Sequence, residues 1–459
     1  MRRKTVKKLF SVLLAGTMAL SLAACGDGSG KDTEKAAVPE TAAKEETEAA
    51  KTKASEDGDV VLEFWDMPWG SVAYQEAAQA LVKRFNEEHP GITVNYTSVP
   101  WDGDYQTFNV AITSGNAPDV STGSGYSPFQ FDAMGEILPL DDLMEEMKAD
   151  GSADFEETAM KQFVQNGHQV AMPWNLDPKC IYYRKDILEE NNIPVPTTWD
   201  ELLDACKQLS NGDFYGMAIE SAGAWPLNIF LINNGVSFID ENKQAAFTSD
   251  GVKETLEYFR TLSEEKVIAP GSAGYTAAEA QKLFLQGKAA FIPTSADFAN
   301  SIKDQGEEFY NNVELLAPLT APSGTSLSIM GCNGIMAYQQ TEHPDEAKMF
   351  IRWWLENSDT LWTEGGMGAF PALRTKYTLD VFTQDKFKAA LIEKVLPVSV
   401  PLNYPSENAF PAMNSIQGEL LTSQACSMVL GTDKPVEDIM NEINDKVITI
   451  LDSFGTGEE

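Results

Sequence analysis

Five tryptophans of this chain sit beside turn residues, and their placement is the first sign of chemistry. Trp65 and Trp69 lie in FWDMPWG, Trp101 in VPWDGDY, Trp174 in AMPWNLD and Trp225 in GAWPLN. Proline and glycine break regular structure, so rings next to them are covered by fewer neighbours. A half-exposed indole offers a flat apolar face and one N–H donor, which suits stacking on a ligand. The remaining aromatics, among 9 Trp, 13 Tyr and 23 Phe, read as core filling, with Trp353, Trp354 and Trp362 among them.

Other chemistry finds little footing. His89, His168 and His343 are far apart, and no HExxH, CxxC or Cys/His cluster accompanies them. No metal site and no cofactor is expected. The nucleophile elbow GxSxG, the phosphate loop GxxxxGK[ST] and GxGxxG are all missing. No catalytic residue is named on this basis. A glycosidase needs only two placed carboxylates, so with 69 acidic residues a secreted carbohydrate-active enzyme stays open as an alternative. A net charge of −35 excludes the basic footprint of a nucleic-acid binder and disfavours docking on anionic headgroups.

The N-terminus carries an export address. Arg2, Arg3, Lys4, Lys7 and Lys8 precede an apolar stretch of roughly 16 residues, short of the roughly 20 that span a bilayer. It ends Leu22-Ala23-Ala24-Cys25 and then Gly26, which resembles the lipobox of bacterial lipoproteins. That resemblance implies a signal peptide over 1–24, cleavage before Cys25, a diacylglycerol on its thiol, and a protein held on the extracellular face of the cell membrane. Residues 26–58 contain no aromatic residue and are rich in Ala, Glu, Lys and Thr. They bury too little to order themselves, so 25–58 reads as the lipidated Cys and a disordered tether. Cys180, Cys206, Cys332 and Cys426 remain. Their even number permits disulfides outside the cell, but a large body needs no staples, and buried free thiols are expected.

The elements that must position the tryptophans follow from Val60 onward. VVLEFW is a short apolar run bounded by Gly58 and Pro68, a buried strand. Ser71 is the N-cap of a helix with Ala77, Leu81 and Phe85 on one face, stopped by Pro90-Gly91. Ile92, Val94 and Tyr96 then alternate as a second strand. Strand, helix, strand with one crossover implies a parallel pair and an α/β layer. The pattern continues with a strand over 179–186, a helix capped by Thr198 and Glu201, and a helix over 277–286 running into a strand. Ala347, Phe350, Ile351 and Trp354 mark another helical face. Val436, Ile439, Met440, Ile443, Val447 and Ile450 mark a docked C-terminal helix.

With these elements placed, the chain is similar to the extracellular solute-binding proteins of bacterial ABC importers, in the group typified by maltose-binding protein. The segments that carry the resemblance are the strand ending Phe64-Trp65, RFNEEHPGITVNY, VAITSGNAPDVSTGSG, VAMPWNLDPKCIYYRKDILEENNIPVPTTWDELLDACKQL, FLQGKAAFI and GMGAFPALR. They run in order along about 60 to 455. The resemblance implies a two-lobe α/β fold of the type II periplasmic-binding-protein kind, with a multi-crossing hinge and a ligand cleft between the lobes. It places 59–169 plus 289–331 in lobe 1 and 170–288 plus 332–459 in lobe 2. It implies no enzyme but a monomer that captures a carbohydrate, mono- or oligosaccharide, for the membrane permease subunits of an ABC importer. A polyamine, peptide or organic anion in the same cleft is the alternative.

A sugar has flat apolar faces ringed by hydroxyls, so its site needs aromatic platforms and a few polar side chains on loops after strands. The ligand-binding candidates in the first half are Trp65, Trp69 and Trp101, with Ser124 and Tyr126 in the Gly-rich turn after APDV. Trp174, Asn175 and Asp177 follow at the expected lobe crossing. Trp225 and Asn228 stand one turn apart at a helix start. Asp297 and Phe298 come after AAFIPT, and Asn333 lies in MGCNG, where the family's commoner Gly-Gly is Gly331-Cys332.

Overall fold

The computed structural model describes residues 59–455 apart from 102 and 224. The export segment, Cys25 and the tether lie outside the described residues. Among those described, no helix is long and apolar enough to cross a membrane.

Strand β1 (Val60–Asp66) buries Leu62, Phe64 and Asp66 on one face while Val61 and Glu63 stay exposed, the period of two that a one-sided strand imposes. Helix α1 (Val72–Glu88) begins where the sequence predicts. The Ser71 hydroxyl accepts the Ala73 N–H at 3.3 Å, and Ala77, Leu81 and Phe85 are buried. Strand β2 (Ile92–Ser98) returns parallel to β1, with Phe64 opposite Tyr96. Helix α2 (Asp104–Thr113) leads to β3 (Val120–Gly123), also parallel to β1. The α/β expectation holds.

Two long strands then run through the molecule. Ser328–Ala337 lies antiparallel to β3 through Ile335 and Thr122, and antiparallel to Met172–Arg184 along most of its length. The far end of Met172–Arg184 pairs with Ala289–Ser295 and with Val313–Leu316. Tyr215–Met217 completes the order, parallel to Ala289–Ser295. Each long strand therefore serves two sheet halves, and the ladder between them shifts register at Asn333/Gly334.

Ala289–Ser295, expected in lobe 1, pairs with strands 172–184 and 215–217 of the expected lobe 2. The helix Pro344–Asn357, expected in lobe 2, packs on β1, with Phe350 and Trp354 edge-on to Phe64 at 5.0 and 4.9 Å. Phe64 points out of β1 toward this helix, and such a contact cannot be made from the other end of the sheet.

Local signals vary in how fully they are realised. Thr198 caps its helix by accepting the Glu201 N–H at 3.2 Å, but the Glu201 carboxylate reaches back to Thr197 instead of Thr198. A reciprocal capping box forms at Thr276 and Glu279, at the head of Ala277–Leu285. The C-terminal helix Val436–Ser453 buries all six apolar positions that the spacing marks. Cys180, Cys206, Cys332 and Cys426 are free and buried, as expected.

Candidate ligand-binding cleft

A cleft of about 830 Å³ opens where the two sheet halves meet. Its walls come from the loops that follow β1, β2 and β3 on one side. On the other they come from the middle of the long strands, the start of helix Trp225–Asn233, and the turn after Ala289–Ser295. The segment 364–369 forms a further wall. Such a crevice at strand ends is where α/β sheets bind ligands.

On the first side, β1 ends and the chain turns through Pro68, which leaves Trp69 half-buried with its ring on the cleft. Trp101, at 42% exposure, meets it edge-on at 4.9 Å and donates its indole N–H to the Pro68 carbonyl at 3.1 Å. Trp69 Nε1 donates to Thr122 Oγ1 at 3.1 Å. Ser124 and Tyr126 also line the cleft. Ser124 shares a hydrogen bond with Ser127, and the Tyr126 hydroxyl donates to Asn403 at 3.2 Å.

On the second side, Trp225 opens its helix. Glu220, almost fully buried, accepts the Gly223 N–H at 2.7 Å and the Trp225 N–H at 3.1 Å. A carboxylate is well placed at a helix N-terminus, where free N–H groups and the dipole favour negative charge. The Lys179 ammonium lies over the Trp225 ring, 4.1 Å from its centre. Lys179 is 1% exposed and donates to Asp177 and Ser295, so its charge is answered by a carboxylate, a hydroxyl and a ring face. Asp177 and Asp297 both reach the cleft. Burial away from water and then the like charge of Asp177 push the Asp297 carboxyl up, with Lys179 opposing.

The 364–369 segment touches this second side closely. Asn300 donates to the Gly366 carbonyl at 3.1 Å. Gly368 has no room for a side chain, since a Cβ there would stand 2.2 Å from that of Asp297.

The structure thus brings Trp69, Trp101, Ser124, Tyr126, Asp177, Trp225, Asp297 and Asn333 to one cleft. The other five candidates stand elsewhere. Trp65 is half-buried edge-on to Phe108. Trp174 is 2% exposed between Trp354 and Trp362, because it lies inside the long strand and not after it. Asn175 is buried beneath Asn333, whose amide donates to it at 2.8 Å. Asn228 turns away from Trp225 to accept from Thr422 at 3.0 Å. Phe298 packs into the core against Tyr182 and Phe284. The sequence reading missed Lys179, Asn300 and Gly368. The sign of the first was available, because a Lys two residues from an Asp shares its face on a strand.

Among the described residues, no three His, Cys, Asp or Glu side chains gather as metal ligands. Cys332 lines the cleft, but burial pushes its thiol up to about 12, which keeps it protonated and unreactive. The arrangement offers platforms, acceptors and donors.

The family described as bacterial extracellular solute-binding protein matches residues 69–360. A Brucella abortus protein described as a binding protein is 25% identical over 272 residues, which are 58% of this chain and 65% of that protein. The match thus spans just under two thirds of that relative's length. An ABC transporter extracellular-binding protein of Pyrococcus horikoshii is 25% identical over 75% of this chain and 76% of its own. A sugar transporter of Arthrobacter chlorophenolicus, solved with bound laminaribiose, is 26% identical with a TM-score of 0.77, covering 85% of this chain and 99% of that one.

Proposed function

This chain belongs to the bacterial extracellular solute-binding protein family, and from that premise we propose that it captures a carbohydrate in its cleft and delivers it to the membrane subunits of an ABC importer. As a member of that family it is a binding protein and not an enzyme. One observation carries the carbohydrate reading. Indole rings face a single cleft from both sheet halves, Trp69 and Trp101 from one and Trp225 from the other, with the carboxylates of Asp177 and Asp297 on the side of Trp225. Rings stack on the apolar faces of a sugar while carboxylates accept from its hydroxyls. The laminaribiose seen in the Arthrobacter relative supports the same class.

Capture is a matter of differential affinity. A ligand touching both walls favours the closed arrangement only by what it gains there over the open one. In this reading the two sheet halves are the moving parts, joined through the long strands. The Cys25 lipid anchor belongs to the same proposal and keeps the cleft near its importer.

A second reading has one observation in its favour. Asp177, Asp297, Asp304 and Glu364 outnumber Lys303 on the lining, which suits a cationic solute such as a polyamine. A thermal-shift screen with laminaribiose, maltose, other saccharides, spermidine and short peptides separates the two, since a ligand of the folded state raises Tm by mass action. A shift with saccharides alone is expected. A shift with spermidine or peptide and none with any saccharide overturns the carbohydrate reading.

A further inference from the structure

We infer that Asp66, a carboxylate that forms no part of the cleft wall, sets the orientation of the Trp69 ring through the hydroxyl of Thr122. The inference rests on the cleft being the ligand site, and Trp69 being one of its platforms.

Asp66 ends β1 and Thr122 lies in β3, both buried. Thr122 Oγ1 donates to Asp66 Oδ1 at 2.6 Å and accepts from the Met67 backbone N–H at 3.0 Å and from Trp69 Nε1–H at 3.1 Å. A hydroxyl has one proton and two lone pairs, so all its capacity is committed. The proton goes to the carboxylate, and this turns both lone pairs toward the chain that carries Trp69. The other carboxylate oxygen, Oδ2, accepts from the Tyr74 hydroxyl at 2.9 Å and the Tyr96 hydroxyl at 3.2 Å. Every partner of Asp66 is a donor, as an ionised carboxylate requires.

Protonation breaks this logic. A proton on Oδ1 faces Thr122 and asks it to accept a third hydrogen bond, which displaces Met67 or Trp69. A proton on Oδ2 displaces a tyrosine. Burial pushes Asp66 up to about 6, against the pull of its hydrogen bonds. The titratable groups that face it are Tyr74 from α1 and Tyr96 from β2, both pushed up by burial and therefore neutral. Thr122 from β3 and Trp69 from the following loop complete its surroundings, and no charged side chain is among the groups that shift it. The ionised form is thus the one that satisfies every partner at once, and a proton on Oδ1 is the one that loosens the hold on Trp69.

The test reads the indole directly. In the 15N-labelled protein the nine tryptophans give separate indole N–H resonances, and Trp69→Phe identifies that of Trp69. The expected result is a Trp69 resonance that titrates with a midpoint near 6 in the wild type and is constant in Asp66→Asn. Thr122→Ser keeps the titration, and Thr122→Val abolishes it with the resonance displaced at every pH. With laminaribiose and maltose as probes, Kd weakens roughly five-fold in the wild type as pH falls through this range, the worth of one hydrogen bond, and stays flat in Asp66→Asn. A Trp69 resonance indifferent to pH, or one that still titrates in Asp66→Asn, overturns the inference. If no saccharide binds, the carbohydrate reading falls while the indole resonance still decides the relay.

Discussion

Trp69 and Trp225 face the same cleft from different sheet halves, and each needs its ring held at a fixed angle. The means are opposite in sign. Trp69 hangs by its N–H from a hydroxyl whose orientation is dictated by a buried anion, Asp66. Trp225 lies with its face on a buried cation, Lys179, while Glu220 fixes its backbone. The anion acts at one remove, through a group with a single proton, and is sensitive to its own protonation. The cation acts directly, through the quadrupole of the ring, and its partner Asp177 reaches the cleft. In these two rings a buried charge stands behind the indole, and the sign of that charge decides which part of it is gripped.

The largest effect is expected from breaking the second arrangement. Lys179→Met should lower unfolding stability by about 3 kcal/mol in urea denaturation, the low end for a broken buried pair because Asp177 keeps a third of its side chain exposed. A cost below about 1 kcal/mol would mean that the cation supports little on that side. Next, Trp69→Ala and Trp225→Ala should each weaken saccharide binding by about 2 kcal/mol, roughly 30-fold in Kd by calorimetry. The Trp225 contribution should stay flat between pH 7 and 5 while that of Trp69 shrinks, and equal pH dependence would erase the contrast.

A smaller effect concerns stability and pH. The folded state holds the Asp66 proton more tightly than the unfolded chain, from the ordinary 3.8 up to about 6. The stability owed to Asp66 is therefore present in acid and lost as pH rises through that window. Wild-type Tm minus Asp66→Asn Tm should be larger near the acid end than at neutrality, opposite to the direction in which ligand affinity moves. The smallest effect should come from Trp101→Phe, which keeps the edge contact with Trp69 but loses the bond to Pro68, about threefold in Kd.

Much of this was legible beforehand, for reasons that separate by range. Helix faces such as Ala77, Leu81 and Phe85 follow from period alone. Trp69, Trp101 and Trp225 reach the cleft because Pro and Gly beside them end an element and uncover the ring. Trp174 has the same neighbour, Pro173, but that proline lies inside a 13-residue strand whose pairing continues on both sides. No local signal distinguishes the two situations. Asp66 and Thr122 were invisible as a pair, since 56 positions separate them and only the sheet brings them together. Strand 289–295 carries no mark of its partner, whereas Phe350 and Trp354 show a buried face without saying what buries it.

Strand 328–337 has a consequence for how the molecule comes into being. It supplies the neighbour on the open side of β3, and the long partner of strand 172–184. While a ribosome is still making the chain, residues 60–123 can gather as a three-stranded layer whose β3 edge stays bare until residue 337 is made. Pairings over such separations are slow to form, because the loop must close before any contact rewards it. For most of its synthesis the polypeptide therefore has no finished sheet to lock it, and its native shape is settled only late, when one strand joins the two ends of the work.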